Sequence, residues 1–183
     1  RRERSGAKGR TMEIERLVAR SLRGAVDLEE LGPIALTVDC DILNADGGTR
    51  CASITAANMG LRLAIRRLIS SGECLPKGKR PTREEIRKGA RSPELSGDER
   101  ASHELSVMPV DVAALSVGMV GGRVMTDLDY VLDSNADVDM NVVMTSSGDF
   151  VEVQGTGEEA TYSRGELNSL IDAAEAGISK LHG

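Results

Sequence analysis

The stretch Ile34–Ile54, IALTVDCDILNADGGTRCASI, carries the decision about the fold. Its first ten residues alternate. Ile34, Leu36, Val38, Cys40 and Ile42 fall on one side of an extended chain, and Ala35, Thr37, Asp39, Asp41 and Leu43 on the other. That period of two predicts a strand over Ile34–Leu43, with one core face and one face bearing two carboxylates. Asp39 and Asp41 either line a site or face solvent, and a structural role is favoured. From Cys51 the period changes. Ile54, Ala57, Leu61, Ile65 and Leu68 recur at helical spacing, so a helix is expected over residues 51–70, with Gly72 at its exit. Between the two lies Asn44-Ala45-Asp46-Gly47-Gly48-Thr49-Arg50. Its glycines permit positive φ and close backbone approach. Thr49 and Arg50 fall in the first helical turn, where unpaired N–H groups and the helix dipole favour an anion. A hydroxyl and a guanidinium fork suit phosphate oxygens. Taken alone, the joint is open between an ordinary glycine turn and an anion cradle.

Upstream, Ile14, Leu17, Val18, Leu22 and Val26 form one apolar stripe, predicting a helix over residues 11–28 capped by Thr11. Gly9-Arg10-Thr11 repeats the glycine, arginine and hydroxyl pattern at this second helix start. Gly32-Pro33 breaks the chain. Downstream, residues 73–106 hold eight basic and seven acidic residues with Pro76, Pro81 and Pro93. They read as an inserted solvated loop with a short helix near Thr82–Lys88. Period two returns at Val112–Val120. Gly121-Gly122 then turns the chain into a partner strand over Val124–Tyr130. Met140–Thr145 and Phe150–Gln154 make a second hairpin, turned at Ser147-Gly148-Asp149. Ser163-Arg164-Gly165-Glu166 is a capping box opening a final helix. Its apolar positions are Leu167, Leu170, Ile171, Ala174, Ile178 and Leu181. This order predicts an α+β domain with helices packed on a sheet.

Composition limits the functions open to it. The chain has 183 residues, 40% hydrophobic and 28% charged, enough for one domain with a real core. One Phe, two Tyr and no Trp exclude base stacking on aromatic platforms as the main means of binding single strands. Cys40, Cys51 and Cys74 form no CxxC pair. Cys40 and Cys51, in strand and helix patterns, read as buried thiols, and the odd count suggests a reducing, cytoplasmic compartment. No apolar run reaches membrane-spanning length.

The net charge is −6, but it is unevenly spread. Residues 1–24 hold eight Arg/Lys against three Glu, and residues 124–163 hold nine Asp/Glu with no Lys or Arg. Cations for phosphates beside carboxylates for a metal would have this form, and so would two solvated faces of opposite sign. In Asp133-Ser134-Asn135-Ala136-Asp137-Val138-Asp139, oxygen ligands recur at alternate positions. Val138 stands where a calcium loop needs glycine, and Met144 where it needs a bidentate Glu. A magnesium site completed by phosphates and water, or a plain polar loop, remain open. His103 and His182 are the only histidines and have no sequence partner for general-base work.

These residues resemble a known family. GRTMEIERLVARSLR at Gly9–Arg23, VDCDILNADGGTRCASIT at Val38–Thr55, LDYVLDSNADVDMNVVMT at Leu128–Thr145 and EVQGT at Glu152–Thr156 are similar to bacterial ribonuclease PH. The resemblance runs from about Arg4 to Ser71 and from Val112 to the C-terminus. It implies a ribosomal protein S5 domain 2-like fold, with helices on a mixed, largely antiparallel sheet. It implies a phosphate-dependent 3′-to-5′ exoribonuclease that trims tRNA 3′ ends. Inorganic phosphate, the co-substrate, attacks the terminal phosphodiester and releases nucleoside 5′-diphosphates. Carried over by motif, Arg10, Gly48, Thr49 and Arg50 bind phosphate. Asp133 and Asp139 are catalytic and hold Mg2+. The partners implied are tRNA and other RNA 3′ ends, and further copies of the chain in a homo-hexameric trimer of dimers. A non-catalytic RNA-binding ring subunit is the alternative, although it has no need of all of Arg10, Arg50, Asp133 and Asp139. Against the family pattern, Leu132 replaces a common acidic residue, Cys51 replaces a frequent threonine, and the 73–106 segment is longer. The register of the motifs places Arg1 roughly 75 residues into the family's chain, within the span of an ordinary domain.

Overall fold

The computed structural model describes residues 9–158 and 160–182. Four strands form one sheet in the order β2-β1-β3-β4, with β1 Val112–Val120, β2 Arg123–Thr126, β3 Val138–Thr145 and β4 Phe150–Gly157. Every pairing among the described residues is antiparallel. The helices are α1 Gly9–Ala25, α2 Leu28–Leu31, α3 Thr49–Ser70, α4 Arg83–Arg87, α5 Gly97–Val107, α6 Tyr130–Ser134 and α7 Arg164–His182.

The sheet is the middle layer of three. On one face α1, α3 and α5 meet Val112, Ala114 and Val143 in a core built on Leu17, Ile54, Ile65 and Val107. On the other, Leu170, Ala174 and Ile178 of α7 pack on Ala113, Val117, Met140 and Val142. The period-two pattern of β1 and β3 is overlaid by burial on both faces, which is why both strands read as nearly continuous apolar runs. The expected turns hold. Gly121 and Gly122 both take positive φ, as a two-residue hairpin with the sheet's twist requires. Ser163 and Glu166 exchange the two capping-box hydrogen bonds, at 3.2 and 2.6 Å.

Four expectations need correction. Residues 34–42 form no strand, although their alternation is clean. A strand exists through its ladder, and among the described residues no neighbour pairs with this segment. Ile34 and Leu36 lean on the helical core, while Val38, Cys40 and Ile42 are exposed. Cys40 is therefore not a buried thiol. Second, β2 ends at Thr126. Asp127 adopts φ 55° and turns the chain, so Tyr130 begins α6 instead of extending the hairpin. Third, Gly9 and Arg10 are already helical, which puts Thr11 inside α1 and not at its cap. Fourth, the segment read as a solvated loop carries α5, opened by a Ser96–Glu99 capping box and burying His103 and Val107. Its few large apolar residues concealed it. Charge holds it as well. Arg62 of α3 donates to Glu104 at 3.0 Å and to Asp111 at 2.7 Å, and Arg66 adds two bonds to Glu104.

Candidate active site

The joint Asn44–Arg50 and the acidic loop are far apart in sequence but dock on each other. The two glycines serve different ends. Gly48, the N-cap of α3, has φ 68°, in the left-handed region that favours glycine. Gly47 is required by proximity: a Cβ there would lie 1.9 Å from the Leu128 carbonyl oxygen and 2.7 Å from the Asp129 carbonyl carbon. Asp46 closes the seam. Its Oδ1 accepts the Gly47 N–H at 2.9 Å and the Tyr130 N–H at 2.6 Å.

The sheet fixes the other side of the seam. The Ser116 hydroxyl of β1 accepts the Leu128 N–H at 3.1 Å, and the Ser116 carbonyl accepts the Asp127 N–H at 2.8 Å. Gly118, opposite Asp139 in the register, leaves room for the buried Leu128 side chain. Asp129 then caps α6 through the Leu132 N–H, which sets Asp133 on a short helical turn. Asp139 stands at the start of β3, opposite Thr156 in β4.

The electrostatics show which charges bear on one another. Burial pushes the Asp139 carboxyl up, the charge of Asp133 pushes it further, and Arg50 pulls the other way. The Cys51 thiol is pushed up to about 12, first by burial and then by Asp139. Cys51 is therefore a neutral donor, and it gives its S–H to Asn141 Oδ1 at 3.1 Å. An acid pushed up by burial and by a neighbouring carboxylate, with a cation beside it, marks a functional site more often than a solvated face.

Arg50 leaves the first turn of α3 with its Nη2 donating to Glu13 of α1 at 3.3 Å. Its Nε is buried and meets no acceptor among the described residues. A buried N–H without a partner is costly, and an anion is the partner its charge selects. Thr49 and Arg50 line a cleft of about 680 Å3 between α1 and residues 34–42, with Thr11 at the same end. Arg10 is exposed on the first turn of α1, one position before Thr11. The sequence residues thus fall into one neighbourhood at the N-terminal end of α3, except Arg10, which no described contact ties to the others.

Sequence reasoning missed Glu13, Asp46, Asn141 and Gln154. Glu13 accepts from Gln154 Nε2 at 3.2 Å as well as from Arg50. Gln154 stood in view within EVQGT, but only the fold shows that it faces α1. Among the described residues, no set of three or more His, Cys, Asp or Glu is placed to hold a metal ion. Asp133 and Asp139 supply two carboxylates, the number magnesium takes from protein when phosphates and water fill its remaining positions.

Comparisons with known proteins give the family and the fold. Residues 1–66 match the 3′ exoribonuclease family, domain 1, and residues 112–177 match the 3′ exoribonuclease family, domain 2. The chain is 48% identical over 176 residues to ribonuclease PH of Bacillus mycoides (strain KBAB4), and 47% identical to that of Bacillus cereus (strain B4264). In both cases the alignment covers 94% of this chain but 59% of the relative, so the chain spans about three fifths of their length. Among solved structures, a chain of the Archaeoglobus fulgidus exosome with RNA bound to the active site superposes with TM-score 0.60 at 17% identity. That match covers 98% of this chain and 63% of the other. Rice Rrp46 superposes with TM-score 0.54 at 14% identity, covering 97% and 66%. At such identities these two likenesses show the fold alone. With both of the family's domains matched in order and nearly half of the residues shared with its bacterial members, the chain belongs to the ribonuclease PH family.

Proposed function

We propose that this chain performs phosphorolysis of RNA 3′ ends, with tRNA precursors as substrates. The observation that carries the reading is the buried, unpartnered Arg50 Nε at the N-terminal end of α3, beside the Asp133–Asp139 pair. Arg50, the Thr49 hydroxyl and the first N–H groups of α3 hold the attacking phosphate, and the exposed Arg10 is its fourth ligand. Gly48 lets the backbone approach it. A phosphate oxygen forms a bond to the phosphorus of the terminal phosphodiester as the bond to the preceding 3′ oxygen breaks. The products are a nucleoside 5′-diphosphate and an RNA shorter by one residue, whose 3′ oxygen takes a proton.

Two anions must meet for this, so the residues work mainly by positioning and charge neutralisation. Asp133 and Asp139 would hold Mg2+, which when bound offsets charge on the scissile phosphate. Their mutual repulsion supports a cation there. Asn141 and Cys51 keep the start of α3 against β3. The reading extends to a single domain with 73–106 as an insertion, and to a homo-hexameric ring built as a trimer of dimers. The insertion attaches to the C-terminal half of α3, through Arg62 and Arg66. The 22 residues of α3 span about 33 Å, so this end is remote from the phosphate end.

The test is Arg50→Ala and Asp139→Ala in the full chain, assayed on tRNA with a 3′ extension. Arg50→Ala is expected to raise the phosphate requirement steeply. Asp139→Ala is expected to abolish turnover while RNA binding persists. An unchanged phosphate dependence in Arg50→Ala would remove Arg50 from the cradle.

A further inference from the structure

Arg50 is the phosphate ligand that leaves the first turn of α3, and something must aim it. Arg50 has a long side chain, 27% exposed, with one hydrogen bond among the described residues, the bond to Glu13. Its Nε is buried yet unpartnered. A guanidinium so lightly held would sample several rotamers and lose freedom on closing around an anion. Glu13 limits that sampling, and Glu13 is itself held. One of its oxygens accepts from Arg50 and the other from Gln154.

The platform beneath Glu13 is fixed as well. Glu13, Arg20 and Gly24 lie at i, i+7 and i+11, one face of α1. Arg20 pairs with Glu152 of β4 at 2.8 Å. Gly24 lets α1 sit against Val151, where a Cβ would come within 3.2 Å of its side chain. The face of α1 is therefore locked to β4 at three successive points, and Glu13 is the point that reaches across to α3.

We infer that Glu13, braced by Gln154, is a positioning residue that pre-orients Arg50 for phosphate. This rests on the reading of Arg50 as a phosphate ligand. The opposite role is also chemically available, since a carboxylate on Arg50 could compete with the incoming anion. The two differ in sign. Competition leaves an arginine that binds phosphate better once Glu13 is gone. Pre-orientation leaves one that binds it worse. The single bond to Nη2 favours pre-orientation, because Nη1, the second Nη2 hydrogen and the buried Nε have no acceptor among the described residues and remain as donors for the anion.

The test uses Glu13→Ala, Glu13→Gln and Gln154→Ala in the full chain. Binding of inorganic phosphate is measured by calorimetry, and KM for phosphate is separated from KM for RNA and from kcat. Glu13→Ala is expected to weaken phosphate binding and raise its KM by about tenfold, since pre-organisation is lost. KM for RNA and kcat at saturating phosphate stay within about threefold, and folding is little changed because exposed pairs contribute little. Glu13→Gln retains an acceptor for Arg50, and the Gln154 amide can turn its oxygen to the new donor. It is expected to recover most of the phosphate affinity. Gln154→Ala is expected to give a smaller loss in the same direction. Unchanged or tighter phosphate binding in Glu13→Ala overturns the inference, as does an equal fall in every kinetic parameter. Calorimetry separates the two failures: a wild-type chain that binds phosphate but releases no diphosphate sinks the phosphorolytic reading and leaves Glu13 to be judged by affinity.

Discussion

Gly47→Ala probes the seam that holds the start of α3 to the acidic loop. The new Cβ would lie 1.9 Å from the Leu128 carbonyl oxygen, and real Cβ contacts do not fall below 3.0 Å. The seam must therefore open by about 1.1 Å, a displacement that near-attack geometry tolerates poorly. The obstacle is backbone on both sides, pinned by Ser116 and Asp46, so no side chain can swing away. Overpacking of this kind costs roughly 1–3 kcal/mol of stability. Misplacing reacting groups by about 1 Å costs on the order of 100-fold in rate. The expected result is a folded variant, its Tm lowered by several degrees, with kcat/KM for diphosphate release down about 100-fold. The assay follows nucleoside diphosphate from a 3′-extended tRNA, with thermal unfolding measured alongside. Gly48→Ala is the control. It strains a left-handed residue by about 1 kcal/mol and its nearest contact is the Ser116 hydroxyl, at 3.2 Å, so it leaves the seam closed, and its loss should appear in KM for phosphate instead of kcat at saturating phosphate. Near-wild-type rate in Gly47→Ala would refute the claim that this seam sets the catalytic geometry.

Asp139→Asn should stabilise the fold while removing activity. The folded carboxyl lies above its ordinary value, so the native state binds the proton more tightly and stability falls as pH rises through that range. At neutral pH the charge is a cost, and its removal should lift Tm by on the order of 1 °C; a fall in Tm would contradict this. Arg62→Ala strips the guanidinium from Glu104 and Asp111 and should cost about 3 kcal/mol, seen as a Tm lower by roughly 6–12 °C. In the wild type, burial opposes ionisation of Glu104 and Asp111, but bonds from Arg66, Arg62 and Asn58 outweigh it and hold both below their ordinary values. Both groups bind protons less tightly when folded, so their stabilisation is complete above pH 5 and is lost as pH falls below 4. Arg62→Ala should flatten that acid limb, and an unchanged acid profile would argue against the network.

The elements legible in the sequence were those whose signals are local. Period 3.6 marked α1, α3 and α7, and paired glycines marked the β1–β2 turn. Three features depended on distant residues. The alternation at residues 34–42 was real, but a ladder needs a neighbour that no local pattern supplies. Helix α5 buries only His103 and Val107 and is tied further by Arg62 and Arg66, so its apolar stripe is too thin to be read. Glu13 and Gln154 lie 141 positions apart, and only the packing of α1 on β4 makes them partners. At the candidate site, Gly47 is the clearest case. Its two-glycine motif was visible, whereas the Leu128 carbonyl that forbids a side chain there was not. Arg50, Asp133 and Asp139 were legible because charged groups in short motifs announce chemistry; what aims them was not.

The central claim is that inorganic phosphate, held at Arg50, is the attacking reagent. The most direct measurement incubates the full chain with Mg2+ and a tRNA bearing a 3′ extension, with and without phosphate, and identifies the released nucleotide. Release of nucleoside 5′-diphosphate that requires phosphate is the predicted result; release of monophosphate without phosphate would contradict it.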